Sequence, residues 1–144
     1  MDHSKRNPSG AVGLMQLLPS TAADPNIGIH DIERVDNNVH AGVKYLAFLR
    51  DRYFAEAALA PQARFAFIWA AYNAGPAKVS SMRDMATQMG LDRNQWFHNV
   101  ELAAGKIVGR ETVKYVADIY KYYVAYSLVQ DLVEKQAEIK ERQQ

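Results

Sequence analysis

The chain has no cysteine, which excludes disulfides, a thiolate nucleophile and any cysteine-based zinc site. It has no charge excess: 17 Lys and Arg stand against 16 Asp and Glu, a net +1. That balance excludes the basic footprint of a nucleic-acid binder. It has no membrane span either. Its longest uncharged run, residues 7–23, is broken by Pro8, Gly10, Gly13 and Pro19 and is shorter than a bilayer crossing. No basic segment followed by an apolar one opens the sequence, so no signal peptide stands in it as given. The four histidines (His3, His30, His40, His98) show no i, i+4 pairing, and no metal site is expected. "DNN" at 36–38 lacks the rest of a calcium loop, and neither a nucleophile elbow nor a phosphate loop is present. No cofactor is therefore expected.

What is there reads as helix. The 144 residues suit one domain with a real core. No stretch alternates apolar and polar residues as a strand would. Asp36 is placed to cap a helix with Val39, Val43, Leu46, Leu49 and Tyr53 on one face. Pro61 opens a second, with Phe65, Ile68, Trp69 and Tyr72 inward, and "NAGP" at 73–76 ends it. Pro76 opens a third, carrying Val79, Met82, Met85 and Met89 into the core and ending at Gly90. Asn94 is placed to cap a shorter helix through Trp96, Phe97, Val100 and Leu102. Gly109 precedes a long final helix with Val113, Val116, Tyr120, Tyr123, Val124 and Leu128 in register, and residues 24–35 read as irregular loop. The expectation is an all-α domain over residues 1–126, followed by a polar helical extension over 127–144.

Three stretches break the helical grammar. In "GAVGLMQLLPSTAA" (residues 10–23), Gly10 and Gly13 suggest tight turns or a close backbone approach. Gln16 is the one polar side chain among Leu14, Met15, Leu17 and Leu18, and its amide must find partners if buried. It either holds a loop or reaches into a cleft. In "AAYNAGP" (residues 70–76), Tyr72 and Asn73 sit where a helix stops, flanked by small residues. An aromatic face beside an amide suits a sugar ring, although a core Tyr with an Asn turn at a helix end is the plainer explanation of the pair taken alone. In "GRETVKYV" (residues 109–116), Glu111 and Tyr115 share a helix face, and Glu111 lies in a first turn where the helix dipole favours a carboxylate.

In this order, "SGAVGLMQLLPSTA", "NNVHAGVKYL", "AAYNAGPAKV" and "GRETVKYV" resemble the motif series of the soluble lytic transglycosylase (SLT) domain. These are lysozyme-like, goose-type relatives that cleave bacterial peptidoglycan. The resemblance runs from near residue 1 to about residue 126. It implies a lysozyme-like domain of about six or seven helices around a glycan-binding cleft. Its ligand would be the peptidoglycan glycan strand and its location the periplasm or cell envelope. The implied reaction uses one glutamate. As general acid it protonates the glycosidic oxygen between N-acetylmuramic acid and N-acetylglucosamine. As general base it then takes the proton of the muramoyl 6-hydroxyl, giving a 1,6-anhydro product. The substrate's N-acetyl group stabilises the cationic centre, in place of the usual second carboxylate.

Carried over residue by residue, the resemblance assigns substrate contacts to Gln16 and to Leu18, which stands where the family often has Met. It also assigns them to Tyr72, Asn73, Glu111 and Tyr115, and to Asn7, where many relatives carry Ser. The catalytic glutamate has no counterpart. Aligning the family's Gly-Ala with Gly10 and Ala11 puts it about three residues before Met1, and Asp2 is a shorter acid in the wrong place. Three expectations follow: the chain as given is inactive, its first family helix is missing, and Met1 is an internal methionine or a truncation point. Apolar surface around Leu14, Leu17 and Trp69 should then stand uncovered and favour self-association or a borrowed segment. Two other readings stay open, a non-catalytic glycan-binding module and a helical interaction protein using residues 128–144.

Overall fold

The computed structural model describes residues 6–142. Six α-helices follow one another: α1 (Pro19–Ala23), α2 (Val35–Tyr53), α3 (Pro61–Ala74), α4 (Pro76–Gln88), α5 (Glu101–Ile107) and α6 (Arg110–Arg142). A wide turn, Trp96–Val100, joins α4 to α5. Among the described residues there is no strand beyond two isolated bridges, Arg6 to Val12 and Val12 to Leu17.

The architecture turns on α3, which packs against α2, α4 and α6. Four of its buried positions are alanines (Ala63, Ala66, Ala70, Ala71), with Phe67 filling the remaining space. Small residues let neighbouring backbones approach, and a helix apolar all round belongs at the centre of a bundle. Pro61 starts it at a position where no amide is needed, and Gly75, at φ +92, ends it. Around α3 the main core gathers Leu49, Val79, Met82, Trp96, Val100 and Val116. A second, smaller core of Val12, Leu17, Ala22, Ile27, Ile32 and Ala41 lies under the N-terminal loops. Tyr45 and Tyr72 pack against both clusters and join them.

One buried polar cluster holds the far end together. Arg83, 7 % exposed, makes a two-pronged contact with Glu56 at 3.0 and 2.9 Å, donates to Asn94 and to the Arg93 carbonyl, and lies over the Phe67 ring. It thereby ties the α2–α3 loop and the turn after α4 to α4 itself.

Several expectations need correction. Helix α2 begins at Val35, and Asp36 pairs with Arg34 rather than capping. Its inward face is Asn38, Ala41, Gly42 and Leu49, while Val39, Val43 and Tyr53 are exposed. The cause is the opening loop, which lies so close on α2 that only small residues fit: a Cβ on Gly42 would meet Met15 at 2.6 Å. The helix expected from Asn94 is broken at Phe97 and His98, which carry non-helical angles. It restarts at Glu101, whose carboxylate accepts from the His98 amide at 2.6 Å. Leu102 is then exposed, as are Met89, Tyr123, Val124 and Leu128. Leu17 is buried, not uncovered, whereas Leu14 is 47 % exposed and Trp69 is half-buried against Tyr72 and Tyr115. Helix α1 falls inside what read as a broken apolar run.

Candidate functional site

The opening loop is a tight double turn fixed from outside. Gly10, Gly13 and even Gln16 have positive φ (+88°, +75° and +47°). At Gly13 the requirement is twofold, since a Cβ there would sit 2.5 Å from the Asn38 side chain. Asn38, wholly buried on α2, accepts from the Met15 amide at 2.8 Å and donates to the carbonyls of Val12 and Ile32 at 2.9 and 3.0 Å. From α3 the Tyr72 hydroxyl donates to the Met15 carbonyl at 2.8 Å. Both backbone groups of Met15 are therefore claimed by side chains from two helices, and the loop is fixed as one wall of a cleft.

That cleft has a volume of about 560 Å³. Asn7, Gln16 and Leu18 line it from the opening loop, Tyr72 and Asn73 from the end of α3, and Glu111 and Tyr115 from the start of α6. All seven residues singled out in the sequence thus converge on one cavity, from segments up to about a hundred residues apart. Ser9, Lys78, Thr112 and the apolar Ile107 and Val108 also stand in the wall. None of these five was singled out in advance. Thr112 could have been, because it neighbours Glu111 and occupies the buried side of the same turn. Lys78 carried no signal beyond its place in the first turn after Pro76.

The hydrogen bonds sort the seven by what remains free to meet a ligand. The Asn7 carbonyl oxygen accepts from the Ser9 hydroxyl at 2.7 Å and from the Ala11 amide at 2.9 Å, so that side chain shapes its own loop. The Gln16 amide donates to the Gly13 carbonyl at 2.8 Å, again across the turn. The Asn73 carbonyl oxygen accepts from the Thr112 hydroxyl at 2.7 Å. This fixes the amide's orientation and leaves its NH₂ as a donor at the cleft. Burial pushes the Tyr115 hydroxyl up to about 12. Burial, with Tyr115 and Tyr45 nearby, raises Tyr72 further above the ordinary tyrosine value. Both phenols are neutral hydroxyls throughout the physiological range. Their rings flank Trp69, at 5.4 Å for Tyr72 and 6.3 Å for Tyr115, forming an aromatic layer beside the cleft.

Glu111 is the one carboxylate and Lys78 the one cation lining this cavity among the described residues, and neither enters an ion pair there. The cleft therefore offers neutral donors, one acceptor acid and apolar ring surface, the mixture that a sugar's hydroxyls and C–H faces require. Among the described residues no group of three His, Asp or Glu side chains is placed to hold a metal. Asp2, set aside above as a replacement acid, lies outside the described residues.

Known proteins match much of this chain. The transglycosylase SLT domain family profile covers residues 1–97. A membrane-bound lytic murein transglycosylase F of Desulfosudis oleivorans is 35% identical over 128 residues, covering 80% of this chain and 27% of that protein. The protein of the same name in Maricaulis maris is 32% identical over 127 residues, 79% of this chain and 27% of its own length. That of Shewanella frigidimarina is 26% identical over 98% of this chain and 32% of its own length. The chain spans roughly a quarter to a third of the length of these relatives.

Proposed function

Because the chain belongs to the transglycosylase SLT domain family, we propose that its cleft binds the glycan strands of peptidoglycan. In this reading it serves a lytic transglycosylase reaction that releases 1,6-anhydro-N-acetylmuramic acid. The observation that carries the reading is the convergence of Gln16, Leu18, Tyr72, Asn73, Glu111 and Tyr115 on one cavity with an aromatic side. The Asn73 NH₂ and the Tyr115 hydroxyl donate to the acetamido and hydroxyl oxygens of bound sugars. Glu111 accepts from a sugar hydroxyl, and Leu18 packs on an apolar ring face. Asn7 and Gln16 act mainly on the loop that sets this geometry.

Binding and cleavage separate in these 144 residues. The general acid of the implied reaction must sit in a partly apolar site that keeps it protonated near neutral pH. No acid of this sequence falls at the matching position. Glu111 is exposed, in the first turn of α6. We therefore propose that the 144-residue chain holds glycan without cutting it, which coincides with the alternative reading as a non-catalytic glycan-binding module. The cell envelope, where the substrate lies, is the proposed location. No described helix is long and apolar enough to cross a membrane.

The test uses purified sacculi. The chain should sediment with them and release no anhydro-muropeptides by chromatography. Glu111→Gln should lower the bound fraction several-fold. Turnover that survives Asp2→Asn combined with Glu111→Gln would overturn the proposed inactivity, and absence of binding would overturn the glycan reading.

A further inference from the structure

Helix α6 outruns the domain it belongs to. Tyr123 still touches the body, with its ring 4.6 Å from that of Phe65, but every residue of 128–142 is exposed. At 1.5 Å per residue, the stretch from Val124 to Arg142 is about 28 Å long. It is not a plain polar spacer. Leu128, Val129, Leu132, Val133 and Ile139 are each 55 to 61 % exposed, and Tyr122 and Tyr126 are 73 and 75 % exposed. Successive residues turn about 100° around a helix, so the spacing gathers all seven on one half of α6. Leu128, Leu132 and Ile139 form one side of that half. Val129, Val133, Tyr122 and Tyr126 form the other.

The charges are sorted around the same axis. Asp131, Glu134, Glu138 and Glu141 stand together on the opposite half. Lys121, Lys135 and Arg142 run along the border beside Leu128, and Lys140 emerges beside Val129 and Val133. None of these four cations enters an ion pair among the described residues.

This sorting disfavours a second copy as the cover. Two such helices packed along Val129, Leu132 and Ile139 would set Lys135 against Lys140 when parallel, and the basic border against itself when antiparallel. The acids all face away from that seam and relieve neither arrangement. An apolar half is also wider than the narrow seam of a coiled coil. A phospholipid surface fits both features. Its acyl region accepts the apolar half, and its phosphates meet the lysines and arginine, whose long stems reach out from the apolar level. The acidic half stays in water. Tyr122 and Tyr126 then bring an apolar ring and a hydroxyl to the headgroup level.

We propose that the extension of α6 is an interfacial helix, which lies flat on a phospholipid surface with Leu128, Val129, Leu132, Val133 and Ile139 inserted. It rests on the membrane and does not span it, since no described helix is long and apolar enough to cross. The proposal is independent of the glycan reading of the cleft, because the surface it concerns lies outside that cavity.

The test floats the 144-residue chain with vesicles of phosphatidylethanolamine and phosphatidylglycerol. The chain should rise with them. Leu132→Glu keeps a good helix former but puts a charge where a leucine inserts, and it should lower the partition coefficient by about tenfold or more. Lys135→Gln should lower it about fivefold, and by less on vesicles of phosphatidylcholine alone. Glu138→Gln, on the water-facing half, should not weaken it. No flotation, or flotation unaltered by Leu132→Glu, would overturn the proposal and leave the cleft's reading standing. A chain that does not float, yet forms a dimer by sedimentation equilibrium that Leu132→Glu dissolves, would also overturn it and make a second copy the occupant.

Discussion

Asn38→Ala tests the claim that the cleft wall is fixed from α2. The side chain is 1 % exposed and makes three hydrogen bonds of 2.8 to 3.0 Å, to Met15, Val12 and Ile32. At about 1 kcal/mol each, their loss costs about 3 kcal/mol. The Met15 amide is also left partly buried without its acceptor, which adds about 1 kcal/mol. The Val12 carbonyl suffers less, because the Leu17 amide still donates to it at 3.1 Å. Urea unfolding followed by circular dichroism should therefore show a loss of about 4 kcal/mol, at an unchanged dependence on denaturant. If the loop instead opens locally, the global loss will be smaller, and the Met15 amide will exchange with solvent orders of magnitude faster. Asn38→Asp supplies a check on sign. As a carboxylate it opposes two carbonyls that Asn38 serves as donor. Once protonated it can donate again, so that variant should gain stability relative to wild type as pH falls. A loss under about 1 kcal/mol for Asn38→Ala, with Met15 exchange unchanged, would refute the reasoning.

Two further predictions address the tyrosines and the long helix. Above pH 10 an unfolded chain releases its tyrosine protons, while Tyr72 and Tyr115 keep theirs. The folded state then binds more protons, so stability, level below the ordinary value of 10.0, must fall as pH rises towards about 12. Tyr115→Phe should flatten that fall in urea titrations at stepped alkaline pH, and an unaltered slope would contradict the assignment. Residues 128–142 of α6 are all exposed. Deleting residues 127–144 should therefore shift stability by less than about 0.5 kcal/mol while removing helical signal, consistent with a domain ending near residue 126. A loss beyond about 1.5 kcal/mol would place part of that extension inside the folding unit.

The helices of this fold were largely legible because their punctuation is local. Pro61, Pro76, Gly75, Gly90 and Gly109 act within a turn of where they stand, and the element ends follow them. The inward faces were less legible. In α2 the apolar stripe of Val39, Val43 and Tyr53 pointed one way, and the chain buries Asn38, Ala41 and Gly42 instead. Periodicity of apolar residues assumes that the partner surface is apolar side chain. Here the partner is a loop pressed on the helix: the Met15 side chain leaves room only for glycine at 42, and the loop's backbone groups select an amide, Asn38, that can serve its donors and acceptors. The break at Phe97 and His98 was hidden for a related reason, because the acid that stabilises the restart, Glu101, lies after it. The residues that line the cleft were legible through a motif series and not through any single spacing. The member of that series left without a role, "NNVHAGVKYL", supplies both Asn38, the anchor of the wall, and Tyr45, a ring that joins the two cores.

That division of labour bears on how the cleft works. Glu111 carries the negative charge of the wall, yet the groups that determine its shape are elsewhere: Asn38 and Tyr72 on Met15, and Thr112 on Asn73. Each is a single hydrogen bond from a buried or half-buried side chain to the group that lines the cleft or carries it. A ligand entering such a cleft does not have to order the loop or rotate the Asn73 amide, so the entropy cost of binding is met during folding. The same arrangement makes the site sensitive to substitutions that never touch the ligand. Tyr72→Phe removes one hydroxyl that reaches only backbone, at about 1 kcal/mol of stability. It also releases the loop that carries Gln16 and Leu18. Its effect on glycan affinity should therefore exceed what the lost hydroxyl could contribute by direct contact, and an affinity unchanged in that variant would mean that α2 alone fixes the wall.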